Sequence, residues 1–193
     1  MRSFVERLAC GETVNDLEPG FDEYLAICRR NRDLLIRYNT VVMSEDERRS
    51  LLSEIICKPV PEDSGIFPPF QCDLGVNIHL GKKTMLNYNS VLLDTVSITI
   101  GDNTMIGPGV HIVTACHPLE SGNRRCCELW GKPVNIGKDV WFGANVTVLP
   151  GVTIGDRAVI GAGSVVTKDV PSDVVVVGNP AHVVKRIDNK VDG

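Results

Sequence analysis

The stretch that decides the fold runs from Ile136 to Pro171 and reads IGKDVWFGANVTVLPGVTIGDRAVIGAGSVVTKDVP. In blocks of six residues it becomes IGKDVW, FGANVT, VLPGVT, IGDRAV, IGAGSV and VTKDVP, and each block begins with an apolar residue. A period of six is too short for a helix–turn–helix repeat and fits a short strand followed by a tight turn. The stretch therefore predicts a parallel β-helix of stacked coils.

The same period is present upstream, where IGDNTM and IGPGVH span residues 100–111. The first place of each block is expected to point into the coil core, and it is occupied by Ile100, Ile106, Ile136, Phe142, Val148, Ile154, Ile160 and Val166. The fifth place must fit a corner, and its residues are all β-branched or small: Thr104, Val110, Val140, Val146, Val152, Ala158, Ser164 and Val170. Glycine dominates the second place, where we expect it to allow turn dihedrals that a Cβ atom obstructs.

The period stops between His111 and Ile136, and we predict a protruding loop over residues 113–133. This interruption contains a His-Pro pair, His117–Pro118, near its start and an adjacent cysteine pair, Cys126–Cys127. Residues 72–99 alternate apolar and turn residues more loosely and are expected to form the first coils. The cysteine pair has no role that its spacing explains.

Residues 1–58 have a different sequence pattern, which is typical of helices. Apolar side chains recur at three- and four-residue spacing between Tyr24 and Tyr38. Ser44 and Glu47 fit a capping box at the start of a further helix. Prolines from Pro59 onward end the helical texture. We therefore divide the chain into an N-terminal helical segment at 1–58, a β-helix at 59–171 and a C-terminal capping segment at 172–193.

Composition excludes several classes of protein. The chain has 193 residues, 43% hydrophobic and 23% charged, which suits one domain with a small appendage. A net charge of −4 and the lack of any long Lys/Arg run argue against nucleic-acid binding. No apolar run approaches the ~20 residues that span a bilayer, so we expect a cytoplasmic protein. Seven irregularly spaced cysteines are expected to be reduced thiols, and no metal site is predicted.

Four stretches together carry a resemblance to a known family. They are NYNSVLLD at 87–94, TIGDNTMIGPGVHIVTACHP at 99–118, the segment from Gly131 to Pro171, and VVGNPAHVVKRI at 176–187. The chain resembles the maltose, galactoside and nodulation-type sugar O-acetyltransferases of the hexapeptide-repeat acyltransferase superfamily. The resemblance implies a left-handed parallel β-helix, which departs from the usual right-handed crossover. It also implies a homotrimer with active sites between subunits, acetyl-CoA as donor and a hydroxyl acceptor, usually of a sugar.

Acetyl transfer to a hydroxyl needs a base for the hydroxyl proton and a donor for the oxyanion that forms. Imidazole suits the first task near neutral pH, and no metal is required. The match of TACHP to the family's catalytic region implies that His117 is the general base. The match of LNYNS implies that Asn87 contacts the acceptor and the transition state. His79 and His111 lie in strand texture and are expected to have no catalytic role.

The resemblance also implies binding residues. Those expected to bind the acceptor are Asp16, Asp73, Asn87, Asp94, Leu129 and Trp130. Those expected to bind the donor are Trp141, Gly143, Ala144, Ala162, Thr167, Lys168, His182, Lys185 and Arg186.

Two residues depart from the family pattern. Cys28 aligns with an arginine that would reach the acceptor, which leaves the acceptor open. Ala144 stands in place of a serine donor, so the oxyanion would depend on Asn87 or on backbone N–H groups. An amino sugar, a xenobiotic alcohol or an amine is therefore an alternative acceptor. A trimeric scaffold without activity is a further alternative, which the joint presence of His117, Asn87, Trp141 and Lys168 disfavours.

Overall fold

A computed structural model describes residues 2–188 and places three helices before a stack of parallel coils. The helices are α1 (Phe4–Ala9), α2 (Phe21–Thr40), α3 (Glu45–Ile56) and, within the loop, the short α4 (Ser121–Arg125). Met1 and residues 189–193, which belong to the predicted terminal segments, lie outside the described residues. Within the described part, no helix combines the length and the apolar character needed to cross a membrane.

The strands are short and follow one another around the coils. They are β1 (Gly65–Ile66), β2 (Phe70–Cys72), β3 (Ile78–Leu80), β4 (Met85–Leu86), β5 (Ser90–Leu93), β6 (Ile98–Ile100), β7 (Met105–Ile106), β8 (His111–Val113), β9 (Ala115–Cys116), β10 (Trp130–Gly131), β11 (Val134–Ile136), β12 (Trp141–Phe142), β13 (Thr147–Val148), β14 (Thr153–Ile154), β15 (Val159–Ile160), β16 (Val165–Val166), β17 (Val174–Gly178) and β18 (Ala181–Arg186).

Parallel pairing between coils builds three faces. The first face contains β1, β4, β7, β12, β15 and β17 in that order, with β18 added antiparallel at its edge. The second contains β2, β5, β8, β13 and β16, and the third contains β3, β6, β11 and β14. Apart from β9, β10 and β18, successive strands join successive faces from β1 to β16, so one coil contributes one strand to each face. Between β16 and β17 the third face has a single bridge, from Val170 to Ile154. The predicted hexapeptide β-helix is confirmed.

The core of the coils is formed by the repeat positions identified from the sequence. Phe142, Val148 and Ile160 occupy the first place of their blocks and are fully buried. The fifth-place residues are buried as well, including the polar Thr104 and Ser164. Full burial of a valine, isoleucine or phenylalanine side chain contributes about 1.5–3 kcal/mol to the stability of the folded state. The hexapeptide pattern is therefore the pattern of core burial.

The expected reason for the second-place glycines was wrong. The positive φ angles fall at the fourth place instead, for example at Asn103 (57°) and Asn145 (56°). At Gly101 a Cβ atom would lie 2.6 Å from the backbone carbon of Gly137 in the next coil, and at Gly143 it would lie 2.6 Å from the backbone nitrogen of Ala162. Glycine is needed at the second place because adjacent coils approach too closely for a side chain.

Helices cover the N-terminal end of the stack. Ser44 and Glu47 form the predicted capping box at the start of α3. Its apolar face, which includes Leu52 and Ile55, joins the same buried cluster as the first coils. At the opposite end, β17 and β18 form a hairpin against β15. Both coverings protect strand edges that would otherwise invite pairing with other chains.

Candidate active site

The predicted loop leaves the second face after β8 and returns before β11. At its base β9 and β10 pair antiparallel, with Cys116 opposite Trp130. A second attachment lies one residue earlier, where Leu129 exchanges two backbone hydrogen bonds with Val14, of 2.8 and 2.9 Å. Backbone pairing thus joins the two ends of the loop to each other and to the N-terminal segment. His117 lies directly after β9, at this hydrogen-bonded base of the loop.

His117 is held in a defined orientation by a backbone group. Its Nδ1 atom lies 2.8 Å from the carbonyl oxygen of Glu128. Because a carbonyl oxygen only accepts, Nδ1 must carry the hydrogen, and Nε2 of the neutral ring keeps its lone pair. The side chain is exposed to solvent. The arrangement can accept a proton from a hydroxyl group placed at Nε2.

A cavity of about 560 Å³ opens beside His117. Trp130 lines it from the returning strand, and Thr13 lines it from the N-terminal segment. Cys116, Pro118 and Leu119 complete its apolar part, and Leu119 is 90% exposed. The space is large enough for a small-molecule acceptor next to the imidazole.

Asn87 lies on another part of the molecule, in the turn that leaves the first face after β4. Its Oδ1 atom accepts the backbone N–H of Tyr88 at 2.8 Å. Within residues 2–188 its Nδ2 atom makes no hydrogen bond. A separate cavity of about 240 Å³ is lined by Asn87, Trp141 and Met105. The amide N–H of Asn87 is therefore available to an oxyanion.

The structure brings together some of the predicted site residues and not others. His117 and Trp130 share one cavity, and Asn87 and Trp141 share another. Neither of these two cavities is lined by both His117 and Asn87. The candidate base and the candidate oxyanion donor therefore line different cavities of one chain.

Two of the three predicted acceptor-side aspartates are partly exposed. Asp16 lies against the loop, where its carboxylate raises the pKa of the Cys127 thiol. Asp73 accepts hydrogen bonds from Tyr24 Oη at 3.0 Å and from Cys28 Sγ at 3.6 Å. The residue that departs from the family pattern thus contacts a predicted acceptor residue.

Asp94 requires a correction. Its side chain is fully buried, so it offers no carboxylate to an acceptor. Instead its two oxygens accept backbone N–H groups of Asp73, Leu74 and Asn77. Burial raises the pKa of Asp94 to about 7, although the hydrogen bonds from the backbone N–H groups of Leu74 and Asn77 act in the opposite direction. Asp94 therefore stabilises the turn that contains Asp73 by accepting backbone N–H groups of that turn.

The predicted donor-binding residues lie along the C-terminal coils. Trp141 is on β12 and is 54% exposed, and Gly143, Ala144 and Ala162 follow in the turns that leave the first face. His182, Lys185 and Arg186 are exposed on β18, which extends the first face. Thr167 and Lys168 are exposed directly after β16, where the chain leaves the second face. The first two groups share one face of the stack, whereas Thr167 and Lys168 do not.

Sequence reasoning missed two contributors. The carbonyl group of Glu128 fixes the ring of His117, and a backbone carbonyl has no sequence signal. Tyr24 lies in the apolar helix face that the sequence predicts, yet its hydroxyl group donates to the Asp73 carboxylate. A tyrosine in an apolar stripe is a hint of a buried polar partner, but the partner's identity depends on the tertiary packing.

The chain is similar to known acetyltransferases over nearly its whole length. The family model "Bacterial transferase hexapeptide (six repeats)" matches residues 133–168. The galactoside O-acetyltransferase of Escherichia coli (strain K12) is 37% identical over 185 residues, covering 96% of this chain and 90% of that protein. The chain belongs to the hexapeptide-repeat acetyltransferase family that includes this enzyme.

Solved structures agree with this assignment. A maltose O-acetyltransferase from Clostridium difficile 630 superposes with a TM-score of 0.90 at 36% identity, covering 97% of this chain and 99% of that chain. A galactoside acetyltransferase in complex with coenzyme A superposes with a TM-score of 0.88 at 37% identity, covering 98% of this chain and 94% of that chain. The similarity includes the helices as well as the repeats.

Proposed function

We propose that the protein transfers the acetyl group of acetyl-CoA to a hydroxyl group of a sugar or a similar small molecule. The observation that carries the proposal is the hydrogen bond of His117, whose Nδ1–H donates to the Glu128 carbonyl oxygen and so leaves the Nε2 lone pair to act as a base. Membership of the acetyltransferase family supports the same chemistry.

The reaction is a direct attack within a ternary complex. The acceptor oxygen attacks the thioester carbonyl carbon while its proton passes to Nε2 of His117. The oxyanion that forms accepts the N–H of Asn87 Nδ2, which has no other partner within residues 2–188. When the C–S bond breaks, His117 returns its proton to the CoA thiolate, and the acetyl ester and CoA leave.

The active site is proposed to form between two copies of the chain in a homotrimer. His117 and Asn87 line separate cavities of one chain, which supports a site in which a neighbour brings its Asn87 face against the loop. Three large apolar residues of that face, Phe67, Met105 and Trp141, are exposed. Clustered apolar exposure is typical of interfaces and ligand grooves.

The donor is proposed to lie along the C-terminal coils. Trp141 borders the cavity of Asn87. Gly143 and Ala162 have small side chains, which leave space for a ligand beside the adjoining turns. Lys185 and Arg186 lie further along the same face, where their cations suit the phosphate groups of CoA. A relative solved with coenzyme A supports this choice of donor.

Release of the CoA thiol tests the proposal. Acetyl-CoA is incubated with the protein and a panel of sugars, polyols and amines, and thiol release is followed against a reaction without acceptor. We expect acceptor-dependent release and an acetylated product of matching amount. Absence of turnover with every acceptor, together with no measurable binding of acetyl-CoA, would instead support a trimeric scaffold.

A further inference from the structure

Cys126 and Cys127 are adjacent thiols in the loop, and the proposed reaction uses neither of them. Both are exposed free cysteines, and they follow directly after α4. The peptide bond that joins them is trans. Two neighbouring exposed thiols can be converted to a disulfide by exchange with a small disulfide, whereas a lone thiol stops at a mixed disulfide. The pair is therefore a candidate site of reversible oxidation.

The position of the pair connects it with the candidate base. Cys127 directly precedes Glu128, whose carbonyl oxygen accepts Nδ1–H of His117 at 2.8 Å. The next residue, Leu129, exchanges backbone hydrogen bonds of 2.8 and 2.9 Å with Val14. Because these contacts follow Cys127 without an intervening residue, a change in the backbone dihedral angles of Cys127 moves the groups that make them.

The backbone at the pair is already held in a tight turn. The N–H of Cys126 donates to the carbonyl oxygen of Asn123 at 3.1 Å. The N–H of Cys127 donates to that of Arg124 at 3.2 Å, and Cys127 has a φ of 51°, which residues with a Cβ atom rarely adopt. The carboxylate of Asp16 raises the pKa of the Cys127 thiol, so this thiol lies beside the N-terminal segment. The reduced pair thus helps to attach the loop.

A disulfide between adjacent residues does not fit this backbone. Consecutive Cα atoms are about 3.8 Å apart across a trans peptide, whereas the Cα atoms of a disulfide are usually about 4.4–6.8 Å apart. Closing the bond therefore requires new dihedral angles at Cys126 and Cys127. The turn that positions Glu128 and Leu129 cannot persist unchanged when these angles change.

We propose that the two cysteines form a reversible redox switch, in which their disulfide displaces the Glu128 carbonyl group from His117. The oxidant is a low-molecular-weight disulfide such as glutathione disulfide. One cysteine thiolate attacks a sulfur atom of the oxidant, and the first glutathione leaves as a thiolate that takes up a proton. The second cysteine thiolate attacks the protein sulfur atom of the mixed disulfide, and the second glutathione leaves in the same way. The protein loses two hydrogen atoms, and the oxidant is reduced to two thiols.

Displacement of this carbonyl group lowers the activity of the candidate base. Without the hydrogen bond to Glu128, the ring of His117 can rotate and adopt either tautomer. Acetyl transfer should therefore fall, and a thiol reductant should restore it, since strained and exposed disulfides are readily reduced. The loss of activity rests on the proposed function, whereas the disulfide and the change in the loop do not.

Peptide mapping and hydrogen exchange test the switch. The protein is treated with glutathione disulfide and desalted, and its remaining thiols are alkylated before digestion. We expect the peptide with Cys126 and Cys127 to lack two hydrogen atoms and to carry no alkyl group. By NMR, the amide hydrogens of Val14 and Leu129 should exchange about tenfold faster or more, and the ring nitrogen shifts of His117 should no longer indicate one tautomer. Dithiothreitol should reverse these changes.

Two variants serve as controls. Cys127→Ser leaves Cys126 without a partner, so oxidation should not change the exchange of Val14 and Leu129. Cys10→Ser removes an exposed cysteine outside the loop and should respond as the wild-type protein does. The inference is overturned if the disulfide does not form, or if it forms and leaves the exchange rates and the His117 tautomer unchanged. It is also overturned if oxidised Cys127→Ser exchanges as fast as the oxidised wild-type protein.

Activity is measured on the same desalted samples. We expect oxidation to lower kcat of the wild-type protein by about tenfold or more, with little change in the Kd for acetyl-CoA, and to leave Cys127→Ser unaffected. Full activity of a protein that contains the disulfide would overturn the action of the switch through His117. If the reduced protein acetylates no acceptor, the proposed function fails, while the exchange rates and the His117 tautomer still decide whether the switch exists.

Discussion

The Nδ1 atom of His117 lies 2.8 Å from the carbonyl oxygen of Glu128, eleven residues further along the chain. The two groups meet because β9 and β10 pair antiparallel at the base of the loop. The hydrogen bond selects the tautomer in which Nε2 is free to accept a proton. The loop that interrupts the repeat therefore holds the imidazole ring of His117 in one orientation.

Replacing His117 by alanine removes the proposed base. We expect kcat to fall by roughly 10²–10⁴-fold, the usual contribution of general base catalysis, with little change in the Kd for acetyl-CoA. His111→Ala is the matched control, because His111 is exposed on β8 and lines none of the cavities described above. A His117→Ala protein that turns over as fast as His111→Ala would exclude the assignment.

Replacing Asn87 by alanine removes the proposed oxyanion donor. Loss of one such donor lowers kcat by roughly 10²–10³-fold, and we expect an effect of that size in steady-state kinetics. Asn135→Ala provides the control, because Asn135 is exposed on the third face. A change confined to the KM of the acceptor would show that Asn87 binds substrate without stabilising the transition state.

The second-place glycines are predicted to be needed for coil stacking. Gly101→Ala would place a Cβ atom 2.6 Å from the backbone of the next coil, and we expect a loss of about 1–3 kcal/mol in the free energy of unfolding. Gly65→Ala is the control, since its Cβ would meet nothing within 4 Å. Chemical denaturation at one fixed protein concentration measures both variants. Equal stabilities would contradict the stacking explanation.

Asp94 should make the stability depend on pH. Its pKa is raised from its ordinary value of 3.8 to about 7 in the folded protein, chiefly by burial. The folded state therefore binds this proton more tightly than the unfolded state does. The resulting stabilisation is complete below pH 3.8 and is lost as the pH rises through about 7.

Asp94→Asn removes the titrating group, so the variant should lose less stability than the wild-type protein as the pH rises through about 7. Denaturation midpoints measured from pH 5 to pH 9 test the point, with Asp102→Asn as a control at an aspartate that also accepts a backbone N–H, from Lys82. If Asp94→Asn retains the wild-type slope across this window, burial does not raise the pKa of Asp94 as described.

Much of the fold could be predicted because its determinants are local and periodic. A six-residue period identifies residues such as Phe142 as core, and Ser44 with Glu47 marks a helix start through backbone chemistry that acts within one turn. The absence of the period marks the loop. These features depend on neighbours in sequence, which the sequence displays directly.

The site was less predictable because its contacts join distant residues. Asp94 and Asp73 look alike as single aspartates, yet one is fully buried and supports the turn of the other. Cys28 meets Asp73 only through the packing of α2 against the first coils. The close approach at Gly101 depends on the distance between coils. No local pattern encodes these distances.

Complementation between two inactive variants tests the central claim most directly. His117→Ala and Asn87→Ala subunits are co-expressed with different affinity tags, and assemblies that carry both tags are purified. If each site takes His117 from one copy and Asn87 from its neighbour, a mixed trimer contains one intact site, and we expect about one third of wild-type activity. If the mixed assemblies are no more active than the single variants, the shared site with these two residues is contradicted.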